Sequence, residues 1–342
     1  MTTAYFYLTA EGESLAHRLA AGHPGDLYGK ENFKENLRRG FSRYDYLVCI
    51  MATGIVVRIL APLITHKTKD PGVVVLDQRG RHAISLLSGH LGGANELARK
   101  MALLSGGEAV ITTATDVAGE LSFDTFAQSH GIAIENIEML KHISGAFLDG
   151  QPVRVITDKS YPELTKAAEA RKLILHPVRG ADGLSEQLPT VVLDEGFSFP
   201  KPPGFPVLYL RPRTICAGIG CKRNADGASI EDALLAVLKK EGLSPLSLKC
   251  ISTIPLKADE PGIHFVCERL SVPLTVIPPE EIKALDIDSL GIQTSSFVAE
   301  QTGLLSVSTA SSYLASGKGR ILKDKVKFKG ITVALSQTMN DA

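Results

Sequence analysis

The chain has 342 residues, and 37 Lys plus Arg balance 37 Asp plus Glu, so its formal net charge is zero with His neutral. That balance predicts no nucleic-acid or anionic-membrane partner. With 44% hydrophobic and 22% charged residues, disordered, collagen-like and coiled-coil chains are excluded, and the length predicts two or three compact domains. Cys49, Cys216, Cys221, Cys250 and Cys267 form neither a C-x-x-C pair nor a zinc spacing, and read as reduced thiols of a cytoplasmic protein. The N-terminus lacks the basic start and long apolar centre of a signal peptide. The apolar stretch 46–64 contains Gly54, Arg58 and Pro62 and reads as a buried strand entering a helix, because a charge at mid-membrane is costly.

In chain order, residues 5–8 predict a short strand, 11–43 a polar segment, and 46–51 a second strand whose unbroken apolar run expects cover on both faces. Residues 73–76 and 83–87 flank Asp77, Gln78, Arg79 and Gly80, which predicts a hairpin. Ala94, Leu97, Ala98, Met101 and Leu104 follow a helical period with Gly106 as its stop, and 109–113 predicts the next strand. The central region offers strands at 153–157, 173–176 and 191–193. Pro200, Pro202, Pro203 and Pro206 mark a stiff connector. Beyond it the alternation restarts with a strand at 214–219. A helix follows, with Ile230, Ala233, Leu234, Val237 and Leu238 on one face, an approximate capping box at Ser229 and Asp232, and a stop at Gly242. Strands at 248–252 and 274–277 enclose a helix carrying Ile263, Val266, Cys267 and Leu270. The expected class is α/β: an N-terminal α/β domain with a mixed sheet over 1–130, a smaller central α/β region with the Pro-rich connector over 131–206, and a C-terminal α/β domain over 207–342.

Three loops follow strands in the first domain: Ala52, Thr53, Gly54; Ser88 to Gly93; and Ala114, Thr115, Asp116. They converge only if their strands run parallel and adjacent, and the hairpin counts against that for the second loop. Gly92 and Gly93 open a helix, so their N–H groups can meet an anion or a developing oxyanion, and His90 has the chemistry of a base at neutral pH. The same features serve tight strand-to-helix packing, and Asp116 serves equally as a turn or cap residue. Arg58 is read as a substrate-carboxylate ligand or half of an internal ion pair. Gly218 to Arg223 is an incomplete G-x-G motif whose Lys222 and Arg223 can grip an anionic ligand or simply be solvated, while Cys221 lacks an activating His and reads as packing. Lys323, Lys325, Lys327 and Lys329 alternate as on an edge strand, projecting from one face.

Taken together and in order, five segments resemble the CbiG family of cobalamin biosynthesis: MATGIVVRILAP from Met51, SGHLGGANELA from Ser88, TTATD from Thr112, GIGCKR from Gly218 and ISTIPLKADEPG from Ile251. The resemblance covers nearly the whole chain and is least distinctive in the middle. It implies three α/β parts and a cobalt-precorrin-5A hydrolase of the anaerobic corrin route. The implied reaction opens a ring-A δ-lactone on a cobalt-bearing macrocycle and releases acetaldehyde, giving cobalt-precorrin-5B.

Residue chemistry then distributes the roles. His90 is the expected base, Asp116 its orienter or the acceptor of the alcohol proton, and the Gly92 and Gly93 amides the oxyanion donors. Thr53, Gly54, Arg58, Ser88, Lys222 and Arg223 complete the expected substrate contacts. No metal ligand and no cofactor is expected, since the cobalt belongs to the substrate. The expected partners are the cobalt tetrapyrrole and neighbouring enzymes of the corrin pathway, with no nucleic acid or membrane. The alternatives are a non-catalytic corrinoid-binding or transfer protein and a phosphate- or nucleotide-dependent enzyme, the latter disfavoured by the incomplete fingerprints.

Overall fold

The computed structural model describes residues 1–66, 69–89, 92–113, 121–170, 172–181, 184, 187–199, 205–294, 299–300 and 302–339. The chain divides into two compact units, Met1–Phe126 and Ala127–Ala342.

The first unit runs β1 (Thr3–Tyr7), α1 (Ala10–Gly22), β2 (Asp26–Tyr28), α2 (Phe33–Arg43), β3 (Tyr46–Ile50) and α3 (Thr53–Leu60). It continues with β4 (Gly72–Leu76), β5 (His82–Leu87), α4 (Ala94–Ser105) and β6 (Glu108–Val110), and α5 (Phe123–Ser129) follows. The six strands form one sheet in the order β2-β1-β3-β4-β5-β6. Strands β1 to β4 are mutually parallel, β5 is antiparallel to β4, and β6 is parallel to β5.

Both faces of this sheet are covered, which is why β3 and β4 are apolar without alternation. Tyr5, Val48, Ile50, Val74 and Leu76 pack with α1 and α4, while Phe6, Leu47, Cys49, Val73 and Val75 pack with α2 and α3. Helix α4 ends as its sequence predicts, with Gly106 at φ 74° accepting the left-handed cap. Helices α1 and α2 fall in the stretch 11–43, where apolar residues are sparse. Thr9 caps α1 by accepting from the Gly12 amide at 3.1 Å, and α2 buries only Leu37, Gly40 and Phe41.

The second unit carries two five-stranded sheets. The first is built from β7 (Ala133–Ile134), α6 (Leu140–Leu148), β8 (Val153–Ile156), α7 (Pro162–Glu169), β9 (Leu173–His176), β10 (Thr190–Leu193) and β11 (Val207–Arg211). Its order is β7-β11-β10-β8-β9, parallel except for β7. Residues 207–211 were expected to open the C-terminal domain. They instead complete the central sheet, where β11 pairs with β10 in register from Thr190↔Val207. The Pro-rich connector is therefore a crossover between neighbouring strands of one sheet, and the C-terminal sheet begins at Ile215.

That second sheet comprises β12 (Ile215–Cys221), α8 (Gly227–Lys240), β13 (Leu248–Thr253), α9 (Pro261–Leu270), β14 (Leu274–Val276), α10 (Pro279–Lys283), α11 (Ser308–Ala315), β15 (Arg320–Phe328) and β16 (Ile331–Gln337). Its order is β14-β13-β12-β16-β15. Ile331, Val333 and Leu335 of β16 face the α8 and α9 core, whereas Ser336 faces α11 and shares a hydrogen bond with Ser312 at 2.8 Å. The cap of α8 is Asp226, which accepts from the Ser229 amide at 2.9 Å. Ser229 thus stands three residues inside the helix rather than at its start, correcting the expected capping box.

Helix α11 turns Ala310 and Leu314 to a small apolar cluster, and Ser308, Thr309, Ser311 and Ser312 are also buried. Its backbone lies so close to Gly218 that a Cβ there would collide with the Ser308 carbonyl. Strand β15 is the sheet edge that its lysines predict. Two register shifts in β15 break the one-face alternation: Lys323 Nζ pairs with Glu241 at 2.9 Å, while Lys325 Nζ donates to the Gln293 and Thr294 carbonyls at 2.8 Å.

Buried Glu195 joins the two sheets of this unit. Its Oε1 lies 2.8 Å from Lys159 Nζ and accepts from Thr214 Oγ1 at 2.6 Å and Gln337 Nε2 at 2.9 Å. Its main-chain carbonyl accepts from the Ser244 amide and the Ser247 hydroxyl.

Candidate active site

The antiparallel turn at β4–β5 decides which loops meet. Ala52, Thr53 and Gly54, which cap and open α3 rather than forming a loop, lie beyond the carboxyl end of β3, beside the hairpin turn. The Ser88–Gly93 loop leaves β5 at the opposite end of the sheet, and the segment after β6 emerges there too, because β6 is parallel to β5. Thr53, Gly54 and Arg58 therefore do not join Ser88, Gly92 and Gly93.

At the Ser88 end, Asn95 is the organising residue, and sequence reasoning passed it over as one more position on α4. It is 3% exposed. Its Oδ1 accepts from Ser85 Oγ at 2.7 Å, and its Nδ2 donates to Thr113 Oγ1 at 3.1 Å. Its amide donates to the Gly89 carbonyl at 2.9 Å, and the Ala94 amide donates to the Ser88 carbonyl at 3.2 Å. Gly89 must lack a side chain, since a Cβ would stand 2.7 Å from Asn95 Oδ1. One buried residue thus binds the strand and the TTATD segment through its side chain and the glycine loop through its main-chain amide. The readable signal was an amide residue two positions into a glycine-opened helix, where a buried carboxamide needs three or four partners.

Ser88 is buried, adopts the left-handed region at φ 55° and leaves its Oγ without a hydrogen-bond partner among the described residues. Gly92 lies directly over it; a Cβ at 92 would collide with Ser88 Cβ and stand 2.7 Å from its carbonyl oxygen. Gly93, at φ 73°, starts α4. No acceptor among the described residues takes the Gly92 or Gly93 amide. The loop before β4 reaches the same end, because a Cβ on Gly72 would collide with the Gly92 carbonyl. It holds buried Asp70, which accepts from the Thr65 hydroxyl at 2.8 Å and from the Thr65 amide. His90 and Asp116 lie outside the described residues.

At the other end, a cleft of about 570 Å³ is lined by Thr9, Thr53, Asp77, Gln78 and His82 with apolar neighbours. Asp77 accepts from the Arg79 and His82 amides at 2.9 and 2.8 Å. Burial pushes this carboxyl up, but those amides and the His82 imidazole outweigh it and hold it below the usual carboxylate range. Arg58 is exposed. Its guanidinium turns back to donate to the Gly54 carbonyl at 3.0 Å and pairs with no carboxylate among the described residues, so the internal ion pair is not the arrangement found.

In the second unit the G-x-G glycines lie inside β12 rather than in a loop. Lys222 and Arg223 follow the strand and are exposed. The Lys222 amide donates to Gly330 at 2.9 Å, and a mixed-charge cleft of about 710 Å³ opens beside the Lys222 side chain. Buried Glu260, nearby, accepts from Lys257 Nζ at 2.8 Å and the Asn224 amide at 3.0 Å. Burial pushes the half-buried Cys221 thiol above its ordinary range, consistent with packing rather than nucleophilic use.

Three family descriptions match the chain: Cobalamin synthesis G N-terminal over residues 35–116, Cobalamin biosynthesis central region over 121–177 and Cobalamin synthesis G C-terminus over 215–336. Cobalt-precorrin-5A hydrolase of Salmonella typhimurium is 34% identical over 97% of this chain and 96% of its own length. The Priestia megaterium cobalt-precorrin-5A hydrolase is 31% identical over 86% of this chain and 79% of its own. A crystal structure of a cobalamin biosynthesis protein G homologue from Sulfolobus solfataricus aligns over 99% of this chain and 97% of that one, with 19% identity and a TM-score of 0.40. With its N-terminal, central and C-terminal regions all matched in order, the chain belongs to the CbiG family.

Proposed function

We propose that the chain is a cobalt-precorrin-5A hydrolase of cobalamin biosynthesis, opening the ring-A δ-lactone of its macrocyclic substrate and releasing the extruded carbon with its methyl group as acetaldehyde. The observation that carries the site assignment is the Asn95 tether, which holds the Ser88–Gly93 loop against Thr113 and so favours a site shared by the loops bearing His90 and Asp116. The support for the reaction is the family membership and the names of the relatives.

In this reading His90 is the base for attack on the lactone carbonyl. The Gly92 and Gly93 amides receive the tetrahedral oxyanion at the start of α4. Collapse of that intermediate breaks the ring C–O bond and leaves an alcohol on the carbon to be removed. Asp116 orients His90 or takes the alcohol proton itself, the carbon–carbon bond breaks, and its electron pair enters the macrocycle. Cobalt travels with the substrate, and no further cofactor takes part. Ser88 belongs to this end of the sheet, and Thr53, Gly54 and Arg58 serve a different region; within the second unit, exposed Lys222 and Arg223 offer positive charge to carboxylates. The enzyme works in the cytoplasm, where its product passes to the next corrin-pathway enzymes.

Anaerobic incubation with cobalt-precorrin-5A tests the reading. Stoichiometric acetaldehyde and the lactone-opened macrocycle are expected. Tight binding without acetaldehyde would instead identify a corrinoid carrier.

A further inference from the structure

We propose that the cleft beyond the carboxyl ends of β1, β3 and β4 is a second ligand site of the first unit, taking the carboxylate-bearing edge of a tetrapyrrole. The ligand's chemistry follows from the cleft alone; the tetrapyrrole as its source rests on the reading above.

Topology sets the place. The sheet grows from β1 to β2 on one side and from β3 to β4 on the other, so the strand order reverses between β1 and β3, where ligands of open α/β sheets collect. The cleft of about 570 Å³ opens there, a size ordinary for small-molecule sites. Leu8 and Thr9 enter it from β1, Met51 and Thr53 from β3, and Asp77 and Gln78 from β4. Ser88 follows β5 at the opposite end of the sheet, and the six residues of that strand put about 20 Å between the two places. The cleft is therefore separate from the site at Ser88.

Its lining is complementary to a carboxylate on an apolar body. Val75, Ile84 and Val110 are register partners across β4, β5 and β6, and they form an apolar wall in which Ile84 and Val110 are only half-buried. Asp77 is the only carboxylate among the described lining residues, and its oxygens already accept from the Arg79 and His82 amides. Gln78 Oε1 accepts from Thr9 Oγ1 at 3.2 Å, so what Gln78 offers a ligand is its NH2 group. The Thr53 hydroxyl adds a donor from the β3 side, and the His82 ring, whose Nδ1 lies 3.6 Å from Asp77, adds one from β5. Helix α1 discourages an anion, because Thr9 caps it and Glu11 and Glu13 stand in its first turn. Among the described residues no side chain caps α3, and its first turn holds no acid, so the carboxylate belongs on the α3 side. Donors at one end with aliphatic surface beside them fit a methylated ring edge that carries carboxylate arms.

The test uses the full-length protein with isotope-labelled isoleucine methyls, and dicyanocobyrinic acid, a stable cobalt corrin with free carboxylate arms, as the probe. The Ile50, Ile55 and Ile84 methyls, which line the cleft, should shift saturably as it is added. Dicyanocobinamide, whose arms are amides, should need about tenfold more to give the same shifts, the worth of one hydrogen bond to a charge. Ile84→Asp puts a carboxylate into the apolar wall, and His82→Ala removes a donor at an exposed position; each should weaken cobyrinic acid, read at Ile50 and Ile55, by about tenfold. Cleft methyls that do not move with cobyrinic acid, or equal midpoints for the acid and the amide, would overturn the site. Octanoate that moves them at lower concentration than cobyrinic acid would overturn the tetrapyrrole as occupant. Acetaldehyde assays on the same protein keep the two readings apart: cleft binding without acetaldehyde release would remove the hydrolase and support the site.

Discussion

Asn95 Nδ2 donates to Thr113 Oγ1 at 3.1 Å, joining the start of α4 to the segment that leaves β6. Because the same carboxamide accepts from Ser85 through its oxygen, its orientation is determined at both ends. Asn95→Ala should destabilise the protein by about 1–3 kcal/mol, the usual range when buried partners are stranded, and slow turnover about a hundredfold through misplacement of the loops. Asn95→Asp keeps the acceptor for Ser85 but loses the donor to Thr113. Denaturant melts combined with acetaldehyde assays should find this variant destabilised at neutral pH, because burying a carboxylate costs more than burying the amide it replaces, with most of the activity lost. Equal stability and equal turnover in both variants would remove the tether from the argument.

Gly92 and Gly106 separate steric need from conformational need. Gly92→Ala places a methyl group against Ser88 Cβ and should cost about 1–3 kcal/mol as overpacking, with activity lost alongside. Gly106 caps α4 at φ 74° with open space around it, so Gly106→Ala should cost about 1 kcal/mol from the left-handed backbone alone and leave turnover unchanged. Thermal melts and initial rates on the two variants check the contrast.

His90→Ala should lower turnover by about two to four orders of magnitude, as loss of a general base does, without a matching loss of stability. Asp116→Asn should reduce the rate and shift the pH profile. A folded His90→Ala protein that releases acetaldehyde at the wild-type rate would remove His90 from the chemistry.

Glu195 makes the second unit acid-sensitive. Burial pushes its carboxyl up, but hydrogen bonds from Lys159 and Thr214 with the Lys159 charge outweigh that and hold it below the usual carboxylate range. A carboxyl depressed in the folded state contributes stability above its unfolded pKa and loses it as pH falls through the folded one. Stability of the wild type should therefore decline on acidification, with a shallower dependence in Glu195→Gln. Glu195→Ala removes a carboxylate from Lys159, which is only 10% exposed, together with the acceptor of Thr214 and Gln337, and should cost about 1–3 kcal/mol at neutral pH. Urea titrations at pH 7 and in the acid range read all three; indistinguishable pH dependences in the wild type and Glu195→Gln would show that the network carries no such linkage.

The α/β class, the hairpin at 73–87, helix α4 with its Gly106 stop and helix α8 with its buried stripe were legible in the sequence, because hydrophobic period and turn chemistry are local properties. Family membership was legible too, since five short segments in a set order carry it. Helix α11 was not: its buried positions are mostly Ser and Thr, and the close approach permitted by Gly218 makes their face an interior one. Residues 207–211 show the same limit, because strand pairing is chosen by partners far along the chain, and no local pattern tells β11 to lie beside β10. The site illustrates it most directly. Ser88, Gly92 and Gly93 stood out as a motif, but so did Thr53, Gly54 and Arg58, and it was the antiparallel entry of β5 that sent the two sets to opposite ends of one sheet. Asn95 drew no notice, since a polar residue early in a helix is ordinary until burial forces every polar atom to find a partner.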